Sequence, residues 1–472
     1  MGATPPIPEP PWGRIPPDVQ AALAAAFDRI ERRVAESEQR IGRDSTDPSG
    51  PPPTDPPSLK RRPPAPASGK ERGGQPGHHR RARPLVPPEA VRRVIGCKPP
   101  QCRWCGDALA GDDPEPLRHQ VAEVPPVRPA VGEYRPHRLT CPRCRTTTRA
   151  RPPPGVPAGA FGPRPRAVLS VPAGAYRLGK RPVRQSALDL PGLSIPTGMI
   201  GRPGRRGAAE PEAPVEGLRE HLRAAAWAHI DETSWRQGRD EMWLRAAVTK
   251  SATAFTIARS RGADVARGLL GTAARKVVIS DRSEGYGWIK RRQLCRAHPR
   301  RDFRSVIDRG GEAGEVGRRR LDHSGALSRW WHRVRDGAPA RSSSRLYASW
   351  LRPCLKGDLE RGAACSRPET AGTCRGLLTG EAHPWTFVRV EGIEPANDGA
   401  ERALRHGAIY RELSGGTDSE SGSRFVERMP SVVATCRQRG INLLDYLTGC
   451  CEAHLGGRPA PSLIPSSTAQ AN

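Results

Sequence analysis

About one residue in five is Gly or Pro, 50 and 52 of 472, and this limits what the chain can fold into. Each Pro fixes φ and removes a backbone donor, and each Gly loses more conformational freedom on folding than other residues. Regular structure is therefore expected only where both are sparse. Residues 18–41 read as one helix, with Leu23, Phe27, Ile30, Val34 and Ile41 on a heptad-like stripe shorter than a full coiled coil needs. The stripe serves either self-association or packing on the chain's own core. Residues 43–70 are a Pro/Ser-rich tether ending in basic residues. Residues 71–150 read as a small unit around cysteine pairs, 151–224 as a connecting region with helices near 165–178 and 182–190, and 451–472 as a disordered tail.

The pattern changes at residue 225. AAWAHID, MWLRAAVT and AFTIARS are strand-like, a helical stretch lies near 263–270, and the β-branched run KVVIS precedes a further helix. The order β-β-β-α-β-α argues for a mixed α/β sheet spanning 225–450. Residues 303–376 read as a helical insertion, after which the sheet domain is expected to resume at WTFVRVEGIEP.

Lys and Arg number 77 against 49 Asp and Glu, a net charge of +28, so the expected partner is a polyanion, double-stranded DNA ahead of an anionic membrane. No stretch approaches the roughly 18 apolar residues of a spanning helix. The opening MGATPPIPEPPW has neither part of a signal peptide, so a cytoplasmic, nucleoid-associated protein is expected. Twelve Cys in such a chain suit metal ligation better than a disulfide framework. Cys102-Arg-Trp-Cys105 and Cys141-Pro-Arg-Cys144 are two knuckles whose thiolates can share one structural Zn²⁺ in a small ribbon-like domain. A hairpin of HQVAEVP and EYRPHRL would close the long gap between them. Lys60, Arg61, Arg62, Arg80, Arg81 and Arg83 flank the GGQPGH segment and are expected on DNA phosphates, against the plainer reading of a solvated charge run.

Three acids stand at the ends of apolar runs or the start of a helix. Asp231 follows AAWAHI, Asp281 follows KVVIS, and Glu401 lies in NDGAER, where Asn397 can cap a helix after Pro395. Two strand ends and a helix start can bring such carboxylates together around a pair of Mg²⁺ ions suited to phosphoryl transfer. Glu232 is set aside because adjacent strand residues point to opposite faces. Arg402 and Arg405, one turn from Glu401, are candidates for phosphate contact, and Trp235 for core packing.

The words around these acids are specific. HIDETSWR, SDR with Tyr286, QLCRAH, RDF, NDGAERALR, FVER and TCRQ, together with GGQPGH and both knuckles, resemble the insertion-sequence family 66 transposases over most of residues 20–450. The resemblance implies a ribonuclease-H-like core, Asp231, Asp281 and Glu401 as a DDE triad holding two Mg²⁺ or Mn²⁺, and DNA nicking followed by 3′-hydroxyl strand transfer. It also implies at least a homodimer on the element ends and leaves room for accessory proteins. Cys295 and His298 match a C-x-x-H signature beside the second Asp, for which a structural role is expected. Pro299 and Pro430 fall where helices should run, and an interior Pro costs about 3 kcal/mol unless it sits in the first turn. A decayed copy that only binds DNA, or a ribonuclease-H-like nuclease that cuts without joining, are the alternatives.

Overall fold

The computed structural model describes residues 84–198, 200, 211–337 and 341–464. The expected helix at 18–41, the tether, GGQPGH, Lys60, Arg61, Arg62, Arg80, Arg81 and Arg83 lie outside the described residues. Contacts divide the described chain into a smaller unit ending at Pro129 and a larger one beginning at Ala130. The smaller unit holds one 3-10 turn, Pro88–Ala90, and the first cysteine knuckle.

The expected hairpin strands are not formed. HQVAEVP has no strand, and of EYRPHRL only Arg138 and Leu139 enter one. The apolar residues of these two segments, Val121, Val124 and Leu139, are 80, 79 and 72 % exposed, so no buried face fixes a register. In their place β1 (Arg138–Thr140) pairs antiparallel with β2 (Thr147–Arg149) across the second knuckle.

In the larger unit, α1 (Pro163–Ala175), α2 (Lys180–Asp189) and α3 (Glu212–Ala224) precede the sheet. Strands β3 (Trp227–Gln237), β4 (Asp240–Val248) and β5 (Thr253–Ala258) form an antiparallel meander. The helix α4 (Ala263–Leu270) crosses to β6 (Val277–Ser280), which lies parallel to β3. A fifth strand absent from the sequence reading, β7 (Arg292–Leu294), pairs parallel with β6, giving the order β5-β4-β3-β6-β7. All three β7 residues are buried, including Arg292, whose guanidinium donates to Ser280 Oγ at 2.9 Å. A strand that short, buried on both faces and carrying a paired Arg, leaves no period-two signal.

Four helices follow: α5 (Ala297–Asp308), α6 (Gly311–Arg335), α7 (Arg341–Ala364) and α8 (Pro368–Thr379). They share a core of Phe303, Val306, Leu359, Cys374 and Leu377. WTFVRVEGIEP then returns to the sheet domain not as a strand but as a 3-10 turn (His383–Trp385) and the one-turn helix α9 (Thr386–Arg389). Thr386 Oγ1 donates to Arg292 O at 2.6 Å and Phe387 N–H to Gln293 Oε1 at 2.8 Å, so this turn covers the β7 edge.

The other edge is closed by side chains. After α10 (Asp398–Ser414), α11 (Glu420–Arg439) runs along β5 and presents Glu427, Ser431 and Thr435 at steps of one turn. They accept from the outward N–H groups of Ile257 (2.6 Å), Phe255 (2.9 Å) and Thr253 (3.1 Å). Polar residues inside a buried helix face thus satisfy the strand edge in place of another strand. Pro430 sits among them in the helix interior, whereas Pro299 is the third residue of α5, where its missing N–H had no intrahelical partner. The final helix α12 (Leu443–Leu455) is followed by packed chain: Leu463 is buried and Tyr446 donates to Pro461 O at 2.9 Å. The expected tail is therefore ordered from 451 to 464, because its apolar residues close the core beside Cys436 and Leu447.

Glu427→Ala removes the acceptor of Ile257 N–H and a buried partner of Arg424, 2.7 Å away. Stability should fall by about 3 kcal/mol or more. Urea denaturation checks this: a lower midpoint with unchanged slope is expected, and a change within about 0.5 kcal/mol contradicts it.

Candidate active site

The parallel pairing of β3 and β6 aligns two of the acids. Trp227, Ala228 and His229 stand beside Val277, Val278 and Ile279, so continuing the same register brings Asp231 level with Asp281. β6 stops at Ser280, leaving Asp281 at a strand's carboxyl end, where open α/β sheets form their binding crevices. Its Oδ1 accepts from Ser283 N–H at 3.0 Å, and Asp231 Oδ1 accepts from Glu232 N–H at 2.9 Å.

Glu401 arrives from the first turn of α10, whose start is clamped to β3 by Asn397. The sequence suggested Asn397 as a helix cap, but its side chain makes no capping bond. Fully buried, its Nδ2 donates to Ile230 O at 2.9 Å and its Oδ1 faces His229 Nδ1 at 3.1 Å, which identifies Nδ1 as the protonated nitrogen. Gly399 makes the approach close: a Cβ there would lie 2.9 Å from the His229 ring. Asn397 and Gly399 thus place the helix so that the Glu401 charge is felt at Asp231, although the oxygens of Asp231, Asp281 and Glu401 do not all come within 4.8 Å of one another. No spacing rule would have singled out Asn397 for this role.

Electrostatically the acids form one group. Burial pushes the Asp231 carboxyl up to about 8, and the neighbouring charges of Asp281, Glu232 and Glu401 push the same way, against the Glu232 N–H bond. Such a group is costly in isolation and well suited to divalent cations. Glu232 itself turns to the opposite side. Its buried carboxylate meets Arg261 at 2.6 Å and Arg245 at 3.6 Å and accepts from the Tyr286 hydroxyl, so it serves the core.

A second convergence was not expected. Cys295, His298 and Glu401 each place one ligand atom within 4.8 Å of the others. The end of β7 brings Cys295 there, with its N–H bonded to Ser280 O at 2.8 Å, and α5 begins two residues later. Burial pushes the Cys295 thiol up to about 12 and holds His298 below its ordinary value. Further along α5, Arg300 and Arg304 line a cavity of about 420 Å³ with Arg329 of α6, Asp322 being its acidic member. Arg402 and Arg405 are exposed on α10. Trp235 is 3 % exposed and donates to Thr417 Oγ1 at 3.2 Å, a core residue.

Each cysteine pair forms the same tight turn. Cys102 N–H donates to Asp107 O at 2.7 Å and Gly106 N–H returns to Cys102 O at 3.0 Å. Cys141 N–H donates to Thr146 O at 2.9 Å and Arg145 N–H returns to Cys141 O at 2.9 Å. Gly106 and Arg145 take the left-handed conformation at φ 81° and 60° that such a turn requires. Backbone N–H groups lower the Cys102 thiol, and bonds from Thr146 lower that of Cys144, favouring the thiolate that a metal binds.

The mixed five-stranded α/β sheet, followed by a helical insertion, holds Asp231 in the middle of β3 rather than at the strand end that the sequence suggested, with Asp281 just past β6 and Glu401 on the first turn of α10. The family model described as "Transposase IS66 family" matches residues 182–424, and the chain belongs to that family. The match includes Asp231, Asp281, Glu401 and the insertion, and begins after both cysteine pairs. No curated protein matches the chain.

The raised Asp231 value gives a pH dependence. Its proton is held up to about pH 8 in the folded, metal-free protein but lost near 4 when unfolded, so this contribution to stability is full below pH 4 and declines as pH rises to about 8. Asp231→Asn should flatten that decline, whose slope for one group is at most about 1.4 kcal/mol per pH unit. Denaturant titrations in EDTA from pH 5 to 8 check it, and identical slopes in parent and variant would refute it.

Proposed function

We propose that this chain is a DDE transposase that nicks the ends of its mobile element and transfers the freed 3′-hydroxyl to target DNA. The observation that carries this reading is the in-step alignment of Asp231 and Asp281 on parallel neighbours, with Glu401 delivered by the clamped first turn of α10. These acids would hold two Mg²⁺ or Mn²⁺, which when bound activate the attacking oxygen and stabilise the leaving one in an in-line displacement. Asp231 would have to lose its proton to serve as a ligand, and Asn397 holds the start of α10 against β3. No nucleophilic side chain is required.

Double-stranded DNA is the proposed partner, at the element ends and at the target. Arg402 and Arg405, the Arg300, Arg304 and Arg329 cavity, and the basic residues Lys60, Arg61, Arg62, Arg80, Arg81 and Arg83 supply phosphate contacts that set position rather than sequence. Cys102, Cys105, Cys141 and Cys144 would hold a structural Zn²⁺ as a DNA-binding finger, a role that the matched knuckle turns and favoured thiolates support. Two element ends call for at least two copies, and the stripe at 18–41 is the proposed seam. The work would be done in the cytoplasm, on nucleoid DNA.

The test is nicking and joining of labelled element-end DNA in Mg²⁺ or Mn²⁺, with folded, zinc-loaded parent and Asp281→Asn. The variant should bind DNA as the parent does and lose more than about 100-fold in cutting, beyond what removing a group that only orients a ligand costs. A parent that binds without cutting would be a decayed, DNA-binding relative. Cleaved ends without joined strands would make it a nuclease.

A further inference from the structure

Cys295, His298 and Glu401 come from three different places in the fold: the end of β7, the first turn of α5 and the first turn of α10. All three lie at or next to element ends, and one sulfur, one imidazole nitrogen and one carboxylate oxygen lie within 4.8 Å of one another. Among the described residues this is the only set of three such groups so placed, tighter than the proposed magnesium triad achieves. We infer that these residues form a second metal site, selective for zinc-like ions, that takes Glu401 away from the magnesium set.

The donor types select the ion. Thiolate and imidazole suit a borderline-soft cation such as Zn²⁺, whereas Mg²⁺ prefers oxygens alone and keeps its waters. Three protein ligands leave a fourth position open to water. The surroundings already fit: Asn397 N–H donates to Cys295 Sγ at 3.2 Å, the outer bond that steadies a ligating sulfur. Cys295 also donates to Glu401 Oε1 at 3.8 Å, and ion binding would replace that contact, expelling the thiol proton as the metal–sulfur bond forms. The Nδ1 of His298 is buried without a hydrogen-bond partner, a cost that a purely structural histidine would not retain and that ligation, direct or through its ring partner, offsets.

One carboxylate cannot serve both sites fully. Resting on the reading of Glu401 as a magnesium ligand, zinc at this site would inhibit cutting, so the enzyme's activity would follow the ratio of free zinc to magnesium. The C-x-x-H pair would then be a metal sensor set beside the catalytic acids.

The full chain, equilibrated with buffered Zn²⁺ in excess Mg²⁺ and then desalted, should retain one more zinc per chain than Cys295→Ser or His298→Ala. Replacing zinc by Co²⁺ should add thiolate-to-cobalt charge-transfer absorbance in the parent that Cys295→Ser lacks. His298→Ala, which truncates only a half-buried ring, keeps the test decisive if Cys295→Ser fails to fold. In cutting assays, zinc should reduce the Mg²⁺-dependent rate of the parent at least tenfold, compared within one protein, and reduce that of either variant less. Equal zinc counts in parent and variants, with no cobalt–thiolate band from Cys295, would overturn the site. A parent that never cuts in Mg²⁺ defeats the transposase reading, while the metal count still decides this one.

Discussion

One buried amide holds the proposed chemistry together. Asn397 has no exposed surface, and its side chain spans from the Ile230 carbonyl to the His229 ring while its N–H reaches Cys295 and its carbonyl accepts from Glu401 N–H at 3.1 Å. Strand β3, the end of β7 and helix α10 therefore meet on a single residue. A hydrogen-bonded amide costs little to bury and much to leave half satisfied, so this junction tolerates few alternative arrangements. The alignment of Asp231 with Asp281 comes from the sheet; the arrival of Glu401 comes from Asn397.

Charge tells the same story from the opposite direction. In a chain of net charge +28, gathering carboxylates so that one is held protonated up to about pH 8 works against folding. Glu232 and Glu427 are buried acids too, but each is surrounded by arginines or backbone donors. Asp231, by contrast, has Asp281 and Glu401 as neighbours and a single backbone N–H in compensation. Clustered carboxylates left short of compensation in this way are candidates for a functional site.

The meander, the crossover helix and β6 were legible because their apolar residues alternate or run continuously where a two-layer core exists to bury them. β7 was not, since three buried residues including a hydrogen-bonded Arg carry no pattern. The error at HQVAEVP had the reverse cause: valines with strand propensity but no core to bury them. Asp281 after a strand and Glu401 at a helix start were readable, but Asp231 was not at a strand end: β3 runs on to Gln237, because polar residues such as Glu232, Thr233 and Ser234 continue the ladder with β4 after the apolar run stops. Asn397 as a clamp, and Cys295 and His298 beside Glu401, depend on long-range packing between β7, α5 and α10 that local spacing does not encode. Glu427, Ser431 and Thr435 are a middle case, with a four-residue spacing plainly visible and a meaning that appears only once β5 is known to be an edge.

The two sides of α10 have different freedoms. On its inner side Gly399 meets the His229 ring and Gly407 the Leu244 side chain, so that added bulk at either would lever the whole helix off the sheet. On its outer side Arg402 and Arg405 stand in solvent, where one residue can be exchanged for another with little effect on the fold. The same short helix thus separates a position that must not move from a surface that can. On the proposed reading, a lineage of such proteins can rewrite its phosphate contacts turn by turn along that outer face while the packed inner face stays fixed.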